Sequence, residues 1–176
     1  MLIKTVFSGF GGQGVLSMGL NLTHAAMLEG RYVTYLPAYG AEVRGGTANC
    51  TVSVSDEEIA SPVAHAPTFV VALNQPSMVR FQNKIQSGGV MFLNSDLIEE
   101  QPDRGDIELV HIPANTVAEK MGNVKSANMV LLGAFVKKSN IVSLNSLIES
   151  LTVALKGNQT LISFNKDVLI AGYELI

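Results

Sequence analysis

Short apolar runs alternate with amphipathic segments along the first two thirds of the chain. Runs at residues 3–7, 69–73 and 90–93 have the length and composition of buried parallel strands. Residues 15–28 repeat apolar side chains at helical spacing, and Gly30 is a natural helix stop behind them. The pattern therefore predicts strands joined by helices from the N-terminus onward.

The remaining segments continue this alternation. A second strand is predicted at 32–36, ended by Pro37. The strict alternation over 48–55 predicts a strand with one face in water, of the kind often antiparallel or at a sheet edge. A helix is predicted from Pro76 towards Gly88, since proline is tolerated in a first turn. The other predicted elements are a strand at 109–112, helices at 115–121, 127–136, 144–155 and 165–171, loops at 37–46 and 95–106, and a small turn or edge segment at 157–163.

This order of elements favours an α/β fold. A length of 176 residues suits one domain, here residues 1–176. Strands that alternate with helices predict three layers, with helices on both faces of a largely parallel, mixed sheet. The last third is expected to be helical.

Composition narrows the functional classes. Hydrophobic residues make up 47% of the chain and charged residues only 15%, against about 25% in typical domains. A surface this poor in charge favours a subunit that packs against partners.

The net charge of −3 and the lack of basic clusters argue against nucleic-acid binding. No apolar run reaches the roughly 18–20 residues of a membrane span. A single cysteine cannot form an internal disulfide, which is compatible with a cytoplasmic location.

The strongest local motif is the glycine-rich turn between the first predicted strand and helix. Glycines at the first, third and sixth positions match the phosphate-binding pattern of nucleotide folds. Glycine permits close approach to the backbone, and the first N–H groups of a helix favour an anion. The predicted cofactor-binding residues are Gly9, Gly11, Gly12, Gln13 and Gly14. The alternative is that these glycines only permit a tight turn and close packing.

The known nucleotide-binding motifs are incomplete here. A dinucleotide site places an acidic residue about 20 positions on, at the end of the second strand, to bind a ribose. That place holds Leu36, Pro37 and Ala38, so NAD binding is disfavoured. A phosphate-binding P-loop would end in Gly-Lys-Ser or Gly-Lys-Thr, and this turn does not.

A second glycine-rich segment follows the second strand. Arg44 carries a planar, permanently charged guanidinium suited to carboxylate or phosphate. The predicted ligand or subunit contacts are Glu42, Arg44, Gly45 and Gly46. The alternative is a salt bridge between Glu42 and Arg44 within a turn.

No catalytic residue and no metal site is predicted. His24, His65 and His111 are far apart in the chain, and each is expected to be structural. Neither a nucleophile motif nor a metal-ligand spacing is present. Cys50 is expected to be a small core residue.

The two glycine segments together resemble the gamma subunit of 2-oxoacid:ferredoxin oxidoreductases. The resemblance rests on residues 9–15 and 39–46 and extends, more loosely, to 69–76, 128–134 and 165–172. It thus spans nearly the whole chain.

The resemblance implies a fold like the gamma domain of pyruvate:ferredoxin oxidoreductase. It also implies a complex with alpha, beta and ferredoxin-type delta subunits, in which partners hold thiamine diphosphate, magnesium and iron–sulfur clusters. Such a complex oxidatively decarboxylates a 2-oxoacid to acyl-CoA and reduces ferredoxin; 2-oxoglutarate is the expected oxoacid. This chain would hold no cofactor tightly and would be inactive alone. The Gly9–Gly14 turn or the Arg44 segment would contact coenzyme A phosphates or line its path.

Two other functions stay open at this point. One is a self-contained nucleotide- or flavin-binding protein, which the absorbance spectrum and mass of the purified protein would reveal. The other is a pure scaffold, in which both glycine segments only seat neighbouring subunits. An exposed apolar face would also promote self-association of the isolated chain.

Overall fold

Six strands form a single mixed sheet in the computed structural model, which describes residues 1–40 and 46–176. The strands are β1 (Leu2–Phe10), β2 (Tyr32–Tyr39), β3 (Thr47–Ser55), β4 (Phe69–Ala72), β5 (Val90–Asn94) and β6 (Glu108–Ile112). Their order across the sheet is β2-β3-β1-β4-β5-β6. β1, β4, β5 and β6 run parallel, whereas β3 is antiparallel to both of its neighbours. The prediction of a largely parallel, mixed sheet is confirmed.

Helices cover both faces of this sheet. They are α1 (Val15–Leu28), α2 (Gln75–Phe81), α3 (Ala114–Lys120), α4 (Ala127–Ser139), α5 (Leu144–Ala154) and α6 (Gln159–Tyr173), with a short 3₁₀ turn at Val124–Ser126. Successive strand residues point to opposite faces. Phe7 belongs to the large apolar cluster with α1, α4 and α5, whereas its neighbour Val6 packs with α2. The α/β fold is confirmed, with α2 alone among these helices on the smaller face.

Aromatic rings mark the centre of the larger core. Phe135 of α4 lies 5.5–5.6 Å, between ring centres, from Phe7, Phe69 and Phe92 of three neighbouring strands. Each of these pairs is edge-to-face, the arrangement that the ring quadrupoles favour. The helix α4 is buried along its length from Asn128 to Val136, because it lies between the sheet and α6.

Two glycines allow α4 and α6 to touch backbone to backbone. A Cβ atom on Gly133 would come within 3 Å of the Leu169 carbonyl oxygen and the Tyr173 nitrogen. A Cβ atom on Gly172 would come within 3 Å of the Val130 carbonyl oxygen. Neither obstacle is the end of a flexible side chain, so the crossing requires glycine at both positions.

The prediction that Pro37 ends the second strand is wrong. β2 continues to Tyr39, and Pro37 pairs in register with Cys50 of β3. Proline lacks an N–H and is tolerated in sheets only where that donor is not needed. β2 is an edge strand, so its outward side has no neighbour to bond. Residues 37–39 of the predicted loop therefore belong to β2.

The prediction of a wet face on the third strand is also wrong. β3 is antiparallel, as its alternation indicates, but Asn49, Ser53 and Ser55 are buried. β3 lies inside the sheet rather than at its edge. The chain that leaves β3 crosses this face, where the Lys4 ammonium donates to the carbonyl oxygens of Ser61 and Val63.

Two helix boundaries differ from the predicted ones by more than three residues. α2 ends at Phe81, and the next residues form turns, although Ile85 still packs with Met78. α6 begins at Gln159, well before the predicted start at residue 165, and leaves no edge segment at 157–163. Its N-terminus is capped by Asn158, whose side chain accepts a hydrogen bond from the Leu161 N–H at 3.2 Å.

Cys50 is fully buried in β3, which agrees with the prediction of a core residue. Burial raises the pKa of its thiol to about 12. The thiolate is the reactive form, so at pH 8 we expect no reaction with iodoacetamide in the folded protein and complete reaction in guanidinium chloride. Mass spectrometry of the two samples measures this directly. Equal labelling of the folded and unfolded chains would contradict the buried position.

Candidate functional site

The glycine turn connects the end of β1 to the start of α1. Its backbone closes through the Gln13 N–H, which donates to the Phe10 carbonyl oxygen at 3.1 Å. Gly12 and Gly14 have φ angles of +93° and +76°, which favour glycine. Gly9 is buried in β1, and a Cβ atom there would lie only 2.8 Å from Gln13 Oε1 and from Val15 Cγ2. A Cβ atom on Gly14 would likewise come within 3 Å of the Asn128 side chain. Gly9 therefore serves packing, Gly12 the shape of the turn, and Gly14 both.

The Gln13 side chain ties this turn to the neighbouring strand. Its Oε1 accepts hydrogen bonds from the Phe10 N–H at 2.7 Å and from Asn74 Nδ2 at 2.8 Å. Asn74 in turn caps α2, because its Oδ1 accepts from the Ser77 N–H at 3.0 Å. Gln13 thus couples the end of β1 to the β4–α2 junction.

The second glycine segment ends beside the first. The Gly11 N–H donates to the Gly46 carbonyl oxygen at 3.0 Å. Gly11 and Gly12 are exposed, and Gly46 is half-buried. The structure therefore brings Gly46 to the glycine turn at the carboxyl end of β1. The predicted contacts Glu42, Arg44 and Gly45 lie outside the described residues.

The start of α1 opens into a surface cavity of about 410 Å³ beside the turn. Gly14 caps this helix without a side-chain hydrogen bond, and no acidic residue lies in its first turn. The first N–H groups of a helix lack partners within it and favour an anion. Tyr39, at the end of β2, forms part of the wall and is 71% exposed. This cavity can accept an anionic group with an aromatic surface beside it.

The cations nearest the turn in sequence are distant from it in space. The Lys4 ammonium donates to the Ser61 carbonyl oxygen, in the chain that follows β3. Arg31 forms an ion pair with Asp56 at 2.9 Å. Both contacts lie towards the opposite end of the β1 and β3 strands from the turn. Arg80 and Lys125 lie near the turn instead. The Arg80 guanidinium donates to Thr47 Oγ1 at 3.1 Å, one residue beyond Gly46. Lys125 lines a second cavity together with Gly12.

The sequence analysis missed a group of side-chain amides at the carboxyl ends of the parallel strands. Asn94 ends β5, and its Nδ2 donates to Asn115 Oδ1 at 2.9 Å. Asn128, in the first turn of α4, donates through Nδ2 to the Gly14 carbonyl oxygen at 3.2 Å. The available signal was that Asn74, Asn94 and Asn115 each come at or just after the carboxyl end of a predicted strand, where ligands of open α/β sheets bind.

Over residues 1–40 and 46–176, no group of three or more His, Cys, Asp or Glu side chains could hold a metal ion. In the same part of the chain, no helix is long and apolar enough to cross a bilayer. The arrangement offers backbone N–H groups, amides and a few cations, which suit binding rather than bond cleavage.

A family profile described as pyruvate ferredoxin/flavodoxin oxidoreductase matches residues 4–175. The chain belongs to this family. The resemblance predicted from the two glycine segments is thereby confirmed, and it extends over almost the whole sequence.

Individual members of the family agree with this assignment. The chain is 38% identical over 174 residues to a ketoisovalerate oxidoreductase subunit VorA from Methanothermobacter thermautotrophicus, which covers 98% of this chain. The gamma subunit of a keto/oxoacid ferredoxin oxidoreductase from Geobacter sulfurreducens superposes with a TM-score of 0.84 at 26% identity, covering 98% of this chain and 96% of that one. The fold is therefore that of a solved gamma subunit.

Two relatives are much longer than this chain. It spans 36% of the VorA subunit. It also spans 31% of a 2-oxoglutarate:ferredoxin oxidoreductase chain from Magnetococcus marinus, solved with 2-oxoglutarate, coenzyme A and succinyl-CoA bound. That similarity covers 99% of this chain with a TM-score of 0.89 at 25% identity.

Proposed function

We propose that this chain is the gamma-type subunit of a multi-subunit 2-oxoacid:ferredoxin oxidoreductase. The complex would decarboxylate a 2-oxoacid oxidatively, form an acyl-CoA and reduce ferredoxin. The observation that carries this proposal is the family match across residues 4–175. The low charged fraction of 15% also suits a subunit that buries surface against partners.

The chemistry would depend on cofactors held by partner subunits of the alpha, beta and ferredoxin-like delta types. An iron–sulfur cluster takes four thiolate ligands, and this sequence has one cysteine. That cysteine is buried in β3. The family resemblance likewise assigns thiamine diphosphate and magnesium to the partner subunits. In this proposal the contribution of the chain itself is binding.

We propose coenzyme A as the ligand of the glycine turn. Coenzyme A carries several phosphate oxygens, and the exposed Gly11 and Gly12 allow a phosphate to approach the backbone. The start of α1 supplies partly positive N–H groups. Arg80 and Lys125 place positive charge on either side of the turn. Arg44, which lies outside the described residues, stays a predicted contact of the same kind.

The activity is tested by co-expressing the chain with the thiamine-type and cluster-type subunits of the same enzyme. Ferredoxin reduction is then measured with coenzyme A and each of 2-oxoglutarate, ketoisovalerate and pyruvate. We expect reduction that requires both this chain and coenzyme A, with the highest kcat/KM for 2-oxoglutarate. Full activity of the other subunits without this chain would overturn the proposal. A preference for ketoisovalerate would overturn only the choice of oxoacid.

Gly11→Ala separates ligand contact from scaffolding. Among residues 1–40 and 46–176, the nearest atom to a Cβ there is the Gly46 carbonyl oxygen at 3.9 Å, so folding and assembly should be unaffected. A methyl group on the exposed turn would nevertheless hold a phosphate away from the backbone. We expect the KM for coenzyme A to rise about tenfold, which corresponds to about 1.4 kcal/mol of lost binding.

Gly105→Ala is the matched control for this variant. Gly105 lies in an exposed loop with nothing within 4 Å of an added Cβ, and it is not part of the turn. It should behave as the unmodified chain does. An unchanged KM in Gly11→Ala, with an intact complex, would mean that the turn only seats a neighbouring subunit.

Two further predictions concern the chain outside its complex. We expect it to reside in the cytoplasm, where its partners would be made. We also expect self-association of the isolated chain. Exposed Met27, Leu28 and Val153 bring apolar side chains of α1 and α5 to one surface, which a partner subunit would cover.

A further inference from the structure

β2 is an edge strand, and no strand among residues 1–40 and 46–176 pairs with its outer side. Its pairing with β3 shows which backbone groups point outward. The Gly40 N–H donates to the Thr47 carbonyl oxygen at 2.8 Å, and the register continues without a break to Tyr32 opposite Ser55. In an antiparallel pair, only alternate residues exchange backbone hydrogen bonds with the partner strand. The even-numbered residues of β2 therefore bond to β3. The residues whose backbone groups point outward are Val33, Tyr35, Pro37 and Tyr39.

The two edges of the sheet differ in how they are protected. Proteins usually keep sheet edges from pairing by means of short strands, charged side chains or a covering element. β6 has two of these features, because it is five residues long and carries Glu108, whose carboxylate pairs with Lys138 at 2.6 Å. β2 has eight residues, and none of them is charged. Only Pro37 interrupts its outward row of N–H groups. β2 is therefore the edge that suits a further strand.

The surface beside the β2 edge is apolar on both faces of the sheet. Tyr32 and Leu36 are exposed on one face. On the other face, the Tyr35 hydroxyl donates to the Leu16 carbonyl oxygen at 3.5 Å, and Leu20 is exposed one turn further along α1. A strand that joins this edge should therefore be uncharged and flanked by apolar side chains. β2 itself has this character.

We propose that the outer side of β2 pairs with the same strand of a second copy of this chain. The two strands would run antiparallel about a two-fold axis and join both sheets into one. When Val33 faces Tyr35 of the second copy, the outward N–H and C=O groups of both residues are paired. Pro37 then lies beyond the paired residues, so its missing donor costs nothing.

This register also makes the side chains of the strand complementary to themselves. Val33 faces Tyr35 on the helix side of the sheet, and Leu36 faces Tyr32 on the other side. Thr34 lies at the axis and faces its own copy. Aromatic, β-branched and threonine pairs across strands are favourable, and like charges directly opposite are unfavourable. The uncharged β2 strand provides the first and avoids the second.

Thr34→Cys in the full chain tests the pairing and its register. Thr34 and its copy form a non-hydrogen-bonded pair with Cα atoms about 4.5 Å apart, which a disulfide can bridge. Cys50 is buried, so its thiol does not compete. We expect an intermolecular disulfide under mild oxidation, seen on a non-reducing gel at twice the chain mass of 18.8 kDa.

Ala38→Cys is the matched control. Ala38 is exposed and lies on the same face of β2 as Thr34. It is four residues from the axis on each copy, so the two introduced thiols would be about 26 Å apart. This variant should stay monomeric on the same gel. A disulfide in Ala38→Cys and none in Thr34→Cys would overturn the proposed pairing.

Val33→Pro should separate the two copies without disturbing the sheet. It removes an outward N–H but no hydrogen bond to β3, and Pro37 shows that β2 accepts proline at an outward position. In sedimentation velocity we expect a dimer for the unmodified chain and a monomer for Val33→Pro. An unchanged far-UV circular dichroism spectrum would show that the variant is folded. A monomeric unmodified chain would overturn the inference.

The same measurements distinguish the β2 edge from the apolar surface formed by Met27, Leu28 and Val153, which is also expected to self-associate. If the dimer persists in Val33→Pro and Thr34→Cys forms no disulfide, that other surface holds the copies together and the edge pairing is refuted. In the assembled complex, Thr34→Cys should likewise join two copies of this chain. Absence of that disulfide in the complex would overturn the pairing there. The inference does not depend on coenzyme A binding.

Discussion

Gly172→Ala is expected to lower the free energy of unfolding by about 3 kcal/mol or more. The added methyl group would collide with the Val130 carbonyl oxygen, which is fixed within the backbone of α4. Ordinary overpacking costs about 1–3 kcal/mol because side chains can move aside. Here the obstacle is backbone, so α6 as a whole must shift away from α4.

Chemical unfolding followed by far-UV circular dichroism measures this loss. Gly133→Ala, on the other side of the same crossing, should have an effect of similar size, because its obstacles are also backbone atoms of α6. Gly105→Ala should change stability by less than about 0.5 kcal/mol. A loss below about 1 kcal/mol in Gly172→Ala would show that the two helices do not touch as described.

Gln13→Ala is the second change with a large expected effect. It leaves the Phe10 N–H and Asn74 Nδ2 without their shared acceptor. A buried donor left unpaired costs about 1–3 kcal/mol, and both donors are partly buried here. We expect a loss of about 2–4 kcal/mol in unfolding free energy, together with a loss of coenzyme A-dependent activity, because the turn is no longer held.

Gln13→Glu separates the loss of stability from the loss of coenzyme A-dependent activity. Both partners of Oε1 are donors, so a carboxylate replaces the amide oxygen without leaving either one unpaired. Stability should therefore stay within about 1 kcal/mol of the unmodified chain. The negative charge lies beside the predicted phosphate position, so the KM for coenzyme A should rise at least about tenfold. A stable Gln13→Glu chain with an unchanged KM would contradict the position of the anion.

Local patterns predict much of this fold. The order of strands and helices follows from apolar runs and glycine stops, because these signals arise within a few residues of one another. The glycine turn follows for the same reason. The start of α6 was missed because its signal is a single capping residue, Asn158.

Features that depend on strand order could not be predicted in this way. Pro37 continues β2 only because β2 is the edge strand, and Ser53 is buried because the chain that leaves β3 crosses its face of the sheet. The group of side-chain amides has the same origin. Asn94 and Asn128 are 34 positions apart in sequence (128 minus 94) and line the same cavity only once the sheet has formed. Lys125 lies near the glycine turn and Lys4 does not, which likewise follows from how the elements pack rather than from their distance in sequence.

Hydrogen exchange in the assembled complex, with and without coenzyme A, tests the central claim most directly. The claim is that the turn at residues 9–14 and the start of α1 form a surface for a ligand from outside the chain. We expect coenzyme A to slow amide exchange in a peptide covering residues 9–17, while peptides from the α4–α6 crossing stay unchanged. Identical exchange at residues 9–17 in a complex that turns over coenzyme A would contradict the account.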